Sequence, residues 1–128
     1  MTYYHAKMVD RTSDDALAAT REALAQEGFG VITEIDIRKT MQAKLGEDFR
    51  PYTILGACNP SLAHEALKLE DKVGTMLPCN VVVQQLDEGR VEVAAIDPVA
   101  SMQAIENRAL KEKAAEVARK LKDAVERL

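Results

Sequence analysis

Cys58 and Cys79 are the residues of this chain whose chemistry could matter most. Cys58 stands in Gly56-Ala57-Cys58-Asn59-Pro60 and Cys79 in Leu77-Pro78-Cys79-Asn80-Val81, so each falls at the edge of a regular element and each is followed by asparagine. Asn59 before Pro60 is a helix start, a capping side chain ahead of a first-turn proline. The Cys58 sulfur would then lie beside unpaired amides and the positive end of a dipole, the setting that favours a thiolate. If the strands that bear them are neighbours, the two thiols approach one another. They could then act as a redox pair, as a nucleophile with a resolving partner, or as a soft-metal site of the kind Cu(I) prefers. Against all three stands the commoner fate of cysteine, which is to pack as a small hydrophobe.

The other chemical groups are sparse. His5 and His64 are the only histidines; His64 falls on the polar side of the helix after Pro60, and no Cys2His2 spacing exists, so no metal site is expected. No cofactor motif is present: Gly28-Phe29-Gly30 lacks the third glycine of a dinucleotide loop and the lysine of a phosphate loop. Glu34 and Asp36, two apart on a strand, share a face and could do acid/base work, although such a pair is more often a solvated edge. Arg50, beside Pro51 and Tyr52, could bind an anion. The shortage of catalytic groups leans away from an enzyme.

These residues are positioned by a readable series of elements. Thr2 to Val9 reads as a first strand, and Thr12 or Ser13 caps a helix that buries Leu17, Thr20 and Leu24 and closes at Gly28. Phe29 to Ile37 alternates as a strand with Val31, Thr33, Ile35 and Ile37 on one face. A short helix follows over Arg38 to Leu45, then a strand over Tyr52 to Ala57, and a helix from Asn59-Pro60 to about Glu70 with an apolar side of Leu62, Ala63, Ala66, Leu67 and Leu69. Beyond a loop over Asp71 to Pro78, Asn80 to Leu86 and Val91 to Ile96 form a hairpin, because Gly89 can take the positive φ its turn requires. Asp97-Pro98 launches a last amphipathic helix to Leu128, roughly 45 Å long, with Asp123 and Arg127 paired on its outer side. A helix of that length either crosses its own sheet or reaches a partner. Strands with separated helices predict an α+β fold, with one helical layer on a mainly antiparallel sheet and a long C-terminal helix.

Composition bounds what such a fold could do. At 128 residues a single domain, 1–128, is expected, and 47% apolar with 30% charged residues is a folding composition. The net charge of −4 comes without a basic block, which argues against nucleic acid as a partner. No apolar run is long enough to span a bilayer, and Met1 to Asp10 lack a secretory signal, so a cytoplasmic protein with reduced cysteines is expected.

Three phrases, GFGVITEIDI, KLGEDFRPYTILGACNPSLAHEAL and GTMLPCNVVV, in this order and at these distances, carry a resemblance. The chain resembles the bacterial family known as domain of unknown function 302 from Tyr3 to the final helix. That resemblance implies a curved antiparallel sheet with helices on one face, comparable to the TATA-binding-protein-like arrangement, and a homodimer. It implies no reaction. The functional expectation is a small homodimeric binding or accessory protein. The alternatives are a thiol-dependent redox protein or enzyme using Cys58 and Cys79, and a protein that binds a small ligand or soft metal near them. The candidate site residues are Arg50, Cys58, Asn59, Cys79 and Asn80.

Overall fold

The computed structural model describes residues 2–128; Met1, where both the 1–128 domain and the stretch read for a signal begin, lies outside the described residues. The elements are β1 (Tyr4–Val9), α1 (Ser13–Gln26), β2 (Gly30–Asp36), α2 (Ile37–Leu45), β3 (Tyr52–Cys58), α3 (Pro60–Leu69), β4 (Cys79–Asp87), β5 (Arg90–Ile96), α4 (Pro98–Ser101) and α5 (Arg108–Glu126). A 3-10 turn, Val73–Met76, lies between α3 and β4, in the stretch expected to be loop. The fold is α+β, and every strand pairing is antiparallel, in the order β1-β5-β4-β3-β2.

Helix starts follow the capping logic of the sequence. The side chains of Thr12, Asp36, Asn59, Asp97 and Asn107 each accept from a backbone N–H in the first turn of the helix they precede. Gly89 has φ +76° in the β4–β5 turn, as that hairpin demands.

One face of the sheet, carrying Leu55, Ala57, Cys79, Val81, Val83, Val91, Val93 and Ala95, is buried against Ala16, Ala23 and Leu24 of α1 and Leu121, Ala124 and Val125 of α5. A second buried cluster joins Ala66 of α3, Val73, Met102, and Leu110 and Ala114 of α5. Val73 is fully buried, which is why the 3-10 turn forms there: its side chain anchors the chain between α3 and β4. The α2 helix, by contrast, buries no residue.

Two expectations are corrected. The chain from Asp97 to Leu128 is not one long helix. It breaks after Ser101 because Met102 turns into the second cluster and Asn107 caps a fresh helix, leaving α5 with 19 residues, about 28 Å. Nor do Val31, Thr33 and Ile35 share a face. The register slips between Val31 and Thr33, leaving Ile32 as an inserted bulge residue, so Val31 packs on the core while Ile35 sits opposite Ile54 on the other side. Glu34 and Asp36 consequently lie on the helix-bearing side: Glu34 pairs with Arg21 of α1, and Asp36 Oδ1 accepts from the Lys39 N–H at 3.0 Å.

Arg127 also pairs elsewhere than expected. It donates from Nε and Nη2 to Glu27 Oε2 (2.9 and 2.7 Å) and from Nη1 to Gln26 Oε1 (2.9 Å), clamping the ends of α1 and α5 together instead of meeting Asp123. No helix among the described residues is long and apolar enough to cross a membrane.

Candidate functional site

β3 and β4 are adjacent, and their pairing sets Ala57 directly opposite Cys79. Cys58 is therefore the last residue of β3 and Cys79 the first of β4, at the same end of the sheet. Both line one cavity of about 170 Å³, roofed by α3 and α5 and closed at the side by Leu77 and Pro78, whose peptide bond is cis. Both cysteines are free thiols, Cys58 half-buried and Cys79 buried. Burial, with a smaller contribution from the neighbouring Cys58, pushes the Cys79 thiol up to about 11.

The motif around Cys58 is built to hold this junction. Asn59 Oδ1 accepts from the Leu62 N–H at 3.3 Å, starting α3, and Asn59 Nδ2 lies 3.0 Å from where a Cβ on Gly28 would sit. Gly28 has φ +86°, so it both ends α1 in a conformation that favours glycine and leaves room for that amide. At Gly56 a Cβ would come within 2.0 Å of Thr33 Oγ1 and 2.7 Å of Pro78 Cγ. A threonine hydroxyl can rotate away, but the proline ring cannot. Only glycine lets β2, β3 and the Pro78 turn close on each other here.

The wall is almost wholly hydrocarbon and sulfur. Leu62, Ala63, Ala66 and Leu67 come from α3, Met102 follows α4, and Leu110, Ala114 and Val117 come from α5. Of the apolar side expected for α3, Leu62 and Ala66 are buried, whereas Leu67 at 44% exposure reaches the cavity from its rim. Asn59 and Lys113 are the polar exceptions, and Lys113 is the only ionised side chain in the lining. Lys113 was not singled out in the sequence, though a signal was present: at three residues after Leu110 and four before Val117, it interrupts the apolar stripe of α5.

The remaining candidates lie elsewhere. Asn80 sits opposite Gly56, exposed, because alternation along β4 turns it away from the buried side that Cys79 occupies. Arg50 is beyond the far end of β3, about 20 Å of strand from Cys58. There its Nε donates to Gln84 Oε1 at 3.0 Å, and its guanidinium lies 4.6 Å from the Phe49 ring centroid and 5.3 Å from that of Tyr52. These contacts give it a packing role in the Phe49-Arg50-Pro51-Tyr52 phrase. His64 is exposed. His5 meets Glu126 Oε1 at 2.6 Å, and that hydrogen bond holds the Glu126 carboxyl below its ordinary range. Neither histidine lines the cavity. Among the described residues no three His, Cys, Asp or Glu side chains group as a metal cluster.

The comparisons with known proteins fit this architecture. No curated protein matches the chain. A crystal structure described as that of an uncharacterized conserved protein DUF302 from Bacillus stearothermophilus is 31% identical, covers 99% of this chain and 98% of its own, and has a TM-score of 0.92. The model of the family described as domain of unknown function DUF302 matches residues 5–128. Nearly the whole chain is thus accounted for, and the protein belongs to the DUF302 family.

Proposed function

We propose that this chain is a single-domain cytoplasmic binding protein, not an enzyme, that holds a small molecule with an apolar body in the cavity walled by Cys58, Asn59 and Cys79. The observation that carries the reading is the cavity itself. A partly open space of about 170 Å³, walled mainly by apolar side chains, lies between the sheet and two helices, and an apolar void of that size takes up a benzene-sized guest.

A thiol-dependent reaction is the weaker reading. With its thiol at about 11, Cys79 is protonated at neutral pH and would attack a mixed disulfide slowly. A soft metal would have to displace the same proton from the buried Cys79 thiol.

The test is amide NMR titration of the reduced protein with toluene and hexan-1-ol. Shifts confined to Ala57, Cys58, Leu62, Ala66 and Ala114, and abolished by Ala63→Leu, are expected. Absent or scattered shifts would remove the reading.

Homodimerisation is the second part of the proposal, in the TATA-binding-protein-like arrangement of a curved sheet. Ala6, Ala94, Val82, Ile54 and Ile35 stand opposite one another in a row across all five strands, on the face away from the buried clusters. Such a row suits a self-complementary interface.

A further inference from the structure

We infer that the ligand of this cavity is a small amphipathic anion, a monocarboxylate with an apolar body of about six carbons, whose head is met by the Lys113 ammonium. The inference rests on the binding role proposed above and adds the charge and size of the guest.

Size follows from volume, since a cavity of about 170 Å³ is close to the engineered void of about 150 Å³ that takes benzene. Charge follows from Lys113. Among the described residues it makes no ion pair or hydrogen bond, although it is half-buried in a lining otherwise of hydrocarbon, two thiols, the Met102 thioether and one amide. Its half-buried position lays the stem along the apolar wall, and a bound carboxylate would give the ammonium at its tip a charged partner. Glu65 of α3, on which the Lys113 charge acts, does not do this. Glu65 is held by Lys68 at 3.0 Å, and Lys113 acts on it only through space. Asn59 adds a donor, because its Oδ1 is taken by the Leu62 N–H while its Nδ2 makes no hydrogen bond among the described residues. Both nitrogens are donors that can give hydrogen bonds to an oxyanion, and no carboxylate competes for them inside the wall.

The experiment is calorimetric or NMR titration of the reduced protein at pH 7 with hexanoate, hexan-1-ol and hexylamine. Hexanoate should bind about tenfold tighter than hexan-1-ol, the size of one charge-assisted hydrogen bond. Lys113→Met should bring the two to parity while keeping hexan-1-ol affinity, and Lys113→Arg should retain the preference. The inference is overturned if hexan-1-ol or hexylamine matches hexanoate, or if the preference survives Lys113→Met; in those cases the apolar binding role still stands. Should none of the three bind to the parent, while amide spectra show it folded, both readings fall. If Lys113→Met does not fold, Lys113→Gln carries the same comparison.

Discussion

At the scale of single residues, Cys79 is the group whose titration the fold changes most. Its thiol ionises near 11 in the folded chain against a reference of 9.0, because ionising it would place a charge in hydrocarbon beside Cys58. An acid whose pKa is raised by folding costs stability only when the unfolded chain can ionise and the folded one cannot. Below about pH 9 both states hold the proton and the effect is nil; between about 9 and 11 the unfolded state alone loses it, and stability falls by as much as about 2–3 kcal/mol. Other groups titrate in the same window, so the measurement is a difference. Urea unfolding of the parent and of Cys79→Ala, in reductant at pH 8, 9.5 and 10.5, should show the parent's advantage shrinking by about 2 kcal/mol across the series. A difference that stays constant with pH would mean that Cys79 is not held in an apolar site. The position of this residue at a strand edge was legible from the Pro-Cys-Asn phrase, and so was the capping role of Asn59. Lys113 gave only its interruption of the apolar stripe as a signal, and a lysine on a helix flank reads as a solvated charge until the sheet and α3 are placed around it.

At the scale of elements, capping signals and the hairpin turn were legible because they are local. A side chain and an amide two or three residues on decide each cap, and the positive φ of Gly89 decides the turn. The break before α5 was not legible. Gln103 to Asn107 contains neither glycine nor proline, and the apolar spacing runs on through Met102, Ile105 and Leu110 as if the helix continued. Tertiary contacts decide instead. Met102 is drawn into the cluster around Val73, and Asn107 works on both sides of the gap, its Oδ1 accepting from the Leu110 N–H at 3.1 Å and its Nδ2 donating to the Leu69 carbonyl at 3.0 Å. Removing that side chain loses the cap of α5 and its tie to α3. Asn107→Ala should therefore cost about 1–2 kcal/mol in urea unfolding, and Asn107→Asp, which keeps the acceptor and lacks the donor, should fall between Ala and the parent. A variant Asn107→Ala that is as stable as the parent and gains helical ellipticity would show that the continuous helix competes on equal terms. The bulge at Ile32 was hidden for a related reason. Period-2 alternation assumes an unbroken ladder, and one inserted residue reverses every face after it.

At the scale of the whole molecule, the strand order could not be read from the chain, because β1 reaches its partner β5 across more than eighty residues and no local pattern encodes that pairing. The order matters for assembly. It lines up Ala6, Ala94, Val82, Ile54 and Ile35 in a register row, with Ile35 47% exposed and the others half-buried. Five strands spaced about 4.8 Å apart and about 20 Å long make a face of roughly 480 Å² in projection. A stable interface takes about 800 Å² of accessible surface from each partner, so a second copy laid on this face with its flanking loops reaches the low end of that range. The long helix that first suggested a partner is absent, which leaves the sheet as the surface to test. Val82 is central in the row, and a lysine there can extend to solvent in a monomer but would be buried unpaired between two copies. Sedimentation at micromolar concentration should show a dimer for the parent and a monomer for Val82→Lys, with unchanged far-ultraviolet ellipticity. A monomeric parent removes the dimer altogether, and a dimer indifferent to Val82→Lys moves the interface off this face.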